Sequence, residues 1–208
     1  MGGEPMRIGV AALQGAFREH IQALRRLGVD AVEVRRPQDL EDLDGLIIPG
    51  GESTTIRLLM HEFGLDEPLR ARIREGLPVL GTCAGMILLA RRVDGERLPG
   101  ADGLDIDVRR NAFGRQVDSF EADVAIDALG DRPFHAVFIR APIVDSVAGG
   151  VDVLARLDDG RIVAVRQGSI IGISFHPELT DDLRLHRYFL DVVGGPTRVA
   201  AGALPGDP

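Results

Sequence analysis

Residues 77–92 read LPVLGTCAGMILLARR. An apolar run, Pro78 to Leu80, stops at Gly81-Thr82-Cys83-Ala84-Gly85, and a helical pattern begins at once. Cys83 is the sole cysteine of the chain. Gly-x-Cys-x-Gly has the form of a nucleophile elbow, a tight strand-to-helix turn that lifts one side chain above the end of a sheet. The backbone is strained at such a turn, so the residues two positions away must be small, and Gly81 and Gly85 meet that need. At a helix N-terminus, free N–H groups and the helix dipole favour a thiolate. The Ala84 amide would face an oxyanion formed on the attacked carbon. Taken alone, the stretch leaves a second reading open: a lone cysteine is also an ordinary small buried hydrophobe.

Upstream of the elbow, strand-like and helix-like segments alternate. MRIGVAAL (6–13) reads as a buried strand and FREHIQALRRLG (17–28) as an amphipathic helix closed by Gly28. DAVEVRR (30–36) is a second strand and DGLIIPGG (44–51) a third. Ser53 or Thr54 is placed to cap a helix through residue 63, and Asp66 another through Glu75 with Pro68 in its first turn. This alternation predicts a parallel sheet covered on both faces. After residue 94 the pattern changes to loops and alternating strands, including HAVFIRAPIV and VDVLARLDDGRIVAVRQGSIIGISFHPE, which predicts a mixed extension of the sheet. DDLRLHRYFLDVVGG (181–195) closes the chain as a helix. The expected fold is therefore α/β: one domain over 6–195 with a mixed, mostly parallel sheet and helices on both faces. Residues 1–5 and 196–208 are expected to be flexible termini.

Composition bounds the function. At 208 residues the chain can bury a sizeable core as one domain. A formal charge of -8, with no basic run longer than an Arg-Arg pair, argues against a nucleic-acid partner. No apolar run reaches membrane-spanning length and no signal-peptide core is visible, so a cytoplasmic location is expected. One cysteine permits no internal disulfide. All 24 basic residues are arginine. Without lysine the chain has no P-loop lysine and cannot form a lysine Schiff base with a carbonyl substrate or with pyridoxal phosphate.

Two further stretches bear on Cys83. SIIGISFHPEL (169–179) is an apolar strand that ends in His176-Pro177-Glu178. Residues two apart in an extended segment point the same way, so Glu178 can orient the His176 imidazole while the other ring nitrogen serves as a base. On its own, His-Pro-Glu is equally a strand-ending turn. The other histidines, His20, His61, His135 and His186, fall in helix-like or surface-like contexts. No His or Cys spacing suggests a metal, and no cofactor is expected. IIPGGEST (47–54) carries a glycine pair after the third strand, and no Gly-Lys-Ser/Thr follows to make it a phosphate loop. Beside the elbow it offers a second oxyanion donor at Gly51.

Together Gly-x-Cys-x-Gly, the preceding Pro-Gly-Gly and the late His-Pro-Glu resemble the class I (triad) glutamine amidotransferases, whose fold is flavodoxin-like. LQGAFREH, PGGESTT with GTCAGM, RNAFGRQVDSFEAD, FIRAP and SFHPELTDD narrow the resemblance to the glutaminase subunits of two-subunit pyridoxal 5'-phosphate synthases. It runs from about Arg7 to about Val193. It implies hydrolysis of L-glutamine, with ammonia channelled to a separate synthase subunit in a large hetero-oligomeric complex. By the same resemblance Cys83 is the nucleophile, His176 the general base and acid, and Glu178 its orienter. Gly51, Glu52, Ser53, Arg110, Ile139 and Arg140 match glutamine-binding positions, and Gly51 and Ala84 the oxyanion hole. The absence of lysine agrees, since imine-forming sugar chemistry must then reside on a partner. The alternatives are a glutaminase subunit of another amidotransferase, a cysteine hydrolase or chaperone-like protein sharing the elbow on a doubly wound sheet, and a non-catalytic regulatory or scaffold subunit. The late His-Pro-Glu counts against the second and the intact triad against the third.

Overall fold

The computed structural model describes residues 6–97, 100, 103–112 and 119–198, with side chains through 195. Most of the GRQVDSF stretch and both expected flexible termini, save 196–198, lie outside the described residues. In chain order the elements are β1 (Arg7–Ala11), α1 (Phe17–Arg26), β2 (Asp30–Val34), β3 (Gly45–Ile48), α2 (Ser53–Glu62), α3 (Asp66–Arg74), β4 (Val79–Thr82) and α4 (Ala84–Leu89). They continue with β5 (Ala90–Val93), β6 (Leu104–Arg109), β7 (Ser119–Val124), β8 (Phe134–Ile139), β9 (Ile143–Val147), β10 (Asp152–Arg156), β11 (Ile162–Gln167), β12 (Ile170–Ile173) and α5 (Arg184–Arg198).

The main sheet runs β2-β1-β3-β4-β12-β11-β9-β6-β5, with β10 paired to β11. Its first five strands are parallel throughout. From β12 onward the pairings are antiparallel, except β5 with β6. The expected parallel block and mixed extension are both present. The parallel block has the strand order of a flavodoxin-like doubly wound sheet, which binds ligands beyond the carboxyl ends of its strands.

Side-chain alternation divides the interior into two cores. Leu46, Ile48 and Val79 pack against Ile56 and Met60 of α2, Leu69 of α3 and Met86 and Leu89 of α4. Ile47 and Leu80 point the other way and pack against Ile21 and Leu24 of α1 and Leu185 and Phe189 of α5. The β7–β8 hairpin, a separate two-stranded sheet, closes this second core with Phe134 and Phe138. Helix α1 forms because His20, Ile21, Ala23 and Leu24 make one buried stripe. Glu19 in its first turn and Arg25 and Arg26 in its last complement the helix dipole. Gly28, at φ 76, lets the chain leave the helix toward β2.

Several boundaries differ from the sequence expectation, among them the start of α3, whose N-cap is Leu65 rather than Asp66. Helix α2 is capped by the Glu52 side chain, which accepts from the Thr54 and Thr55 amides, rather than by Ser53 or Thr54. A carboxylate reaches two orphan amides at once and also meets the dipole, which a hydroxyl cannot do. Helix α4 is only six residues long and gives way to β5 at Ala90. An unbroken apolar run ending in two arginines carries no cap to mark that switch. HAVFIRAPIV is two strands in different sheets, divided at Arg140, whose φ of 41 ends β8. Helix α5 begins at Arg184 rather than at Asp181, and is interrupted at Gly195, at φ 60, close to its expected end.

Candidate active site

The elbow is built as its spacing requires. Cys83 sits between β4 and α4 with φ 50 and ψ -104, a left-handed conformation that costs a side-chain-bearing residue roughly 1–3 kcal/mol. Its amide donates to the Ile173 carbonyl at 2.8 Å, which ties the turn to β12. A Cβ on Gly85 would fall on the Ile48 carbonyl oxygen, and one on Gly81 would come within 2.6 Å of Leu89 Cδ1 and 2.7 Å of the Gly85 carbonyl. Both glycines are therefore steric necessities.

His176 follows β12, the strand beside β4, so it arrives next to Cys83 at the same sheet end. Its amide donates to the Val137 carbonyl at 2.9 Å, which fixes the segment against β8. Its ring packs on Gly50, where any Cβ would collide with the imidazole. His176 Nδ1 lies 2.7 Å from Glu178 Oε1. Burial works against charge on this imidazole, but hydrogen bonding to Cys83 and Glu178 and their negative charges outweigh it, and its pKa is pushed up to about 10. Charge on the His176 imidazole is thus favoured beside Cys83. Burial would raise the Glu178 carboxyl, yet His20 and His176 hold it below the usual range.

In front of the pair opens a cavity of about 320 Å³. It is lined by Cys83, Ala84 and His176, and by Gly51, Glu52, Ser53, Arg110, Ile139 and Arg140. Glu178 stands behind His176. Gln14, Ile87 and Asn111 also line the cavity and were not singled out in the sequence. Gln14 Oε1 accepts from the Glu52 amide at 2.8 Å, and the Gly50 carbonyl accepts from the Ala16 amide at 3.2 Å. The loop after β1 thereby holds the glycine pair after β3. Among the described residues five non-glycine positions have positive φ, and three of them, Cys83, Asn111 and Arg140, line this cavity, while a fourth, Asp94, pairs with Arg110. Strain concentrated in this way is the mark of a functional site.

The polar residues differ in what they have free. The Glu52 carboxylate is occupied by Thr54 and Thr55, whose donors hold its pKa at about 2. Arg110 gives Nε and its amide to Asp94, at 2.7 and 3.0 Å. The Arg140 guanidinium has no ion pair or hydrogen bond among the described residues. Among those residues no group of three or more His, Cys, Asp or Glu side chains is arranged to hold a metal.

Two histidines stand where the sequence did not indicate. His61 and His135 are exposed, as expected, but His20 and His186 are fully buried, directly behind Glu178. A neighbouring pattern with buried apolar residues on the same helix face marks His20 as core-facing; nothing in the local sequence marks its chemistry.

Several known proteins resemble this chain in sequence or in fold. The model of the family described as "SNO glutamine amidotransferase family" matches residues 10–194. A protein of Carboxydothermus hydrogenoformans named pyridoxal 5'-phosphate synthase subunit PdxT is 58% identical over 188 residues, covering 90% of this chain and 98% of the relative. One of the same name from Parafrankia sp. is 60% identical over 189 residues, covering 90% and 93%. A solved structure described as a glutamine amidotransferase superposes with a TM-score of 0.85 at 54% identity, covering 90% of this chain and 99% of its own. A Thermoplasma acidophilum protein described as a putative GMP synthase subunit shares the fold, with a TM-score of 0.68 at 18% identity over 97% and 100%.

Proposed function

Because the chain belongs to the SNO glutamine amidotransferase family, we propose that it is the glutaminase subunit of a pyridoxal 5'-phosphate synthase. It hydrolyses L-glutamine to L-glutamate and ammonia and passes the ammonia to a synthase subunit. The observation that carries this reading is the line Cys83–His176–Glu178 at the wall of a 320 Å³ cavity, at the carboxyl ends of adjacent parallel strands.

In this mechanism the Cys83 sulfur attacks the side-chain amide carbon of glutamine. The carbonyl oxygen takes up the electron pair and is held by the backbone amides of Ala84 and Gly51. His176, carrying the proton from the thiol, delivers it to the departing nitrogen, and ammonia leaves a thioester behind. The same imidazole then takes a proton from water, whose oxygen attacks the thioester; collapse returns the thiolate and releases glutamate. Glu178 holds His176 Nδ1–H and so fixes which nitrogen faces the sulfur. Of the two arginines on the wall, Arg140 is the better ligand for the substrate α-carboxylate, since Arg110 is already engaged with Asp94.

The chain's lack of lysine supports the division of labour, because the imine chemistry of making the pyridine ring must lie on the other subunit. The synthase subunit would dock over the carboxyl ends of the strands, including the 13–17 loop that holds Gly50, within a hetero-oligomer. Residues 6–195 form the amidotransferase domain. No helix among the described residues is long and apolar enough to cross a membrane, in keeping with a cytoplasmic complex. The test is glutamine hydrolysis and pyridoxal 5'-phosphate formation assayed with and without a synthase subunit. Glutamine-dependent product and little free-chain hydrolysis are expected; failure to support product formation with glutamine, while added ammonium salt supports it, would overturn the reading.

A further inference from the structure

The side of Glu178 turned away from His176 is closed to solvent. Glu178 Oε2 is buried and no hydrogen bond of good geometry satisfies it; His20 Nε2 of α1 stands 3.3 Å away. The same nitrogen is 3.3 Å from Thr82 Oγ1, on β4 next to the elbow. The other nitrogen of that ring, Nδ1, is 2.9 Å from His186 Nε2 of α5. Both histidines are completely buried. Burial keeps them uncharged: His20 is shifted below its ordinary value, and His186 is pushed down to about 3.

Neutral imidazole carries one N–H, so the chain of contacts allows two proton arrangements. In the first, His20 donates from Nδ1 to His186 Nε2. His20 Nε2 then turns a lone pair toward an ionised carboxylate oxygen, with only the Thr82 hydroxyl able to donate to it, and His186 must carry its proton on Nδ1. That atom is buried and has no partner. The arrangement therefore combines a lone-pair repulsion with an orphaned N–H, each costly in a dry interior. In the second, His186 donates from Nε2 to His20 Nδ1, and His20 donates from Nε2 toward Glu178 Oε2 and Thr82. Only a bare acceptor, His186 Nδ1, is left without a partner. The second is assigned from this network.

We propose that His20 and His186 are positioning residues of the glutaminase triad: His186 sets the tautomer of His20, and His20 supplies the N–H that holds the outer oxygen of Glu178. The proposal rests on the glutaminase reading only for its effect on turnover. A carboxylate gripped at one oxygen can rotate about its terminal torsion; gripped at both, it presents Oε1 to His176 in one plane. Helices α1 and α5 thus reach the chemistry through the core without touching substrate.

The first test reads the protons directly. Ring-nitrogen NMR of the full wild-type chain at neutral pH should show His20 and His186 neutral and both protonated on Nε2, whether or not glutamine is present. A His20 protonated on Nδ1 alone, or a charged His20, would overturn the assignment, and neither result bears on whether the chain is a glutaminase. The second test uses turnover with the synthase subunit present. His20→Leu should lose about ten- to a hundredfold in kcat with KM for glutamine little changed, the range typical when the partner behind a functional ligand is removed. His20→Gln, whose amide can donate to Glu178 and accept from His186, should recover most of it. His186→Leu should fall between, because His20 is then free to take the wrong tautomer.

A filler role in the core would not move the pH profile. The titratable groups facing Glu178 are His176 on its own segment and His20 on α1, with His186 on α5 one step behind, Glu19 beside His20 and Cys83 beyond His176. Losing the His20 donor removes a hydrogen bond to the charged form, so the carboxyl protonates at higher pH. The acid limb of kcat/KM should therefore move upward in His20→Leu and return in His20→Gln. Wild-type kcat and an unmoved acid limb in folded His20→Leu would sink the proposal. If that variant does not fold, the wild-type spectrum and His20→Gln decide it.

Discussion

Glu178 has two sides that differ in every respect that matters to chemistry. One oxygen faces His176, beyond which lie Cys83 and an open, polar cavity; the other faces His20 and His186 in a closed interior. On the open side the imidazole pKa is driven up to about 10, and on the closed side that of His186 is driven down to about 3. Burial acts downward on both. The difference is that His176 meets partners that bear charge, while His186 meets mainly another imidazole. Where charge is compensated it can be kept ready for catalysis; where it is not, the protein suppresses it.

The largest test falls on the open side. Cys83→Ala should reduce glutamine hydrolysis to background while leaving the fold intact, because the elbow is held by its glycines and by the Ile173 carbonyl. Cys83→Ser should be nearly as inactive, since a hydroxyl lacks thiolate character. Ammonia release by the alanine variant above a heat-killed control would show that another group is the nucleophile.

Next comes the division of labour between the two residues of the His-Pro-Glu turn. His176→Asn should lose about 10²–10⁴-fold in kcat, the usual contribution of a general acid–base group. Glu178→Gln should lose less, because an amide oxygen can still accept from His176 Nδ1, though without the charge that raises its pKa. An equal loss for both, measured as steady-state kcat with the synthase subunit present, would mean that orientation and proton transfer cannot be separated here.

The closed side should be felt in stability. His186 takes up a proton only near pH 3 when folded but near 6.5 when unfolded. The unfolded chain therefore binds more protons between those values, and stability falls as pH drops from about 6.5 toward 3. A proton withheld across that span costs at most about 5 kcal/mol. Chemical denaturation followed from pH 7 to pH 4 should show this decline, and His186→Leu should flatten it. An unaltered slope in the variant would place the acid sensitivity elsewhere.

These two sides also differ in how far the sequence discloses them. Gly81, Cys83 and Gly85 sit within five residues, and their spacing encodes a local constraint that is visible in the chain itself. His176 and Glu178 are two apart, at the single turn of 3-10 helix (Pro177–Leu179) that follows β12. The parallel block is legible for the same reason, since each strand and helix carries its own period. His20 and His186 are 166 residues apart, and only the packing of α1 against α5 brings their rings together. The β5 switch and the division of HAVFIRAPIV were hidden because both are set by pairings outside the segment itself, β5 with β6 and β8 with β7. The wall residues Arg110 and Arg140 stood out through family resemblance, whereas Gln14 and Asn111 acquire their place only from the fold.

Arg140 carries the smallest of these effects and separates binding from chemistry on the open side. It is exposed, its guanidinium is uncommitted, and its backbone is held at φ 41. A planar fork aimed at the substrate α-carboxylate contributes equally before and during reaction, so its loss should appear in KM rather than kcat. Arg140→Ala should raise KM for glutamine about tenfold, a modest value because a solvent-exposed charged hydrogen bond is worth little more than 1 kcal/mol. Arg140→Gly distinguishes the guanidinium from the backbone, since glycine accepts φ 41 without strain. If the Gly variant matched wild type, the residue would serve only to turn the chain. If Ala and Gly variants shared one raised KM and Lys restored part of it, the charge would be the working group, and the strain would be the cost of placing it.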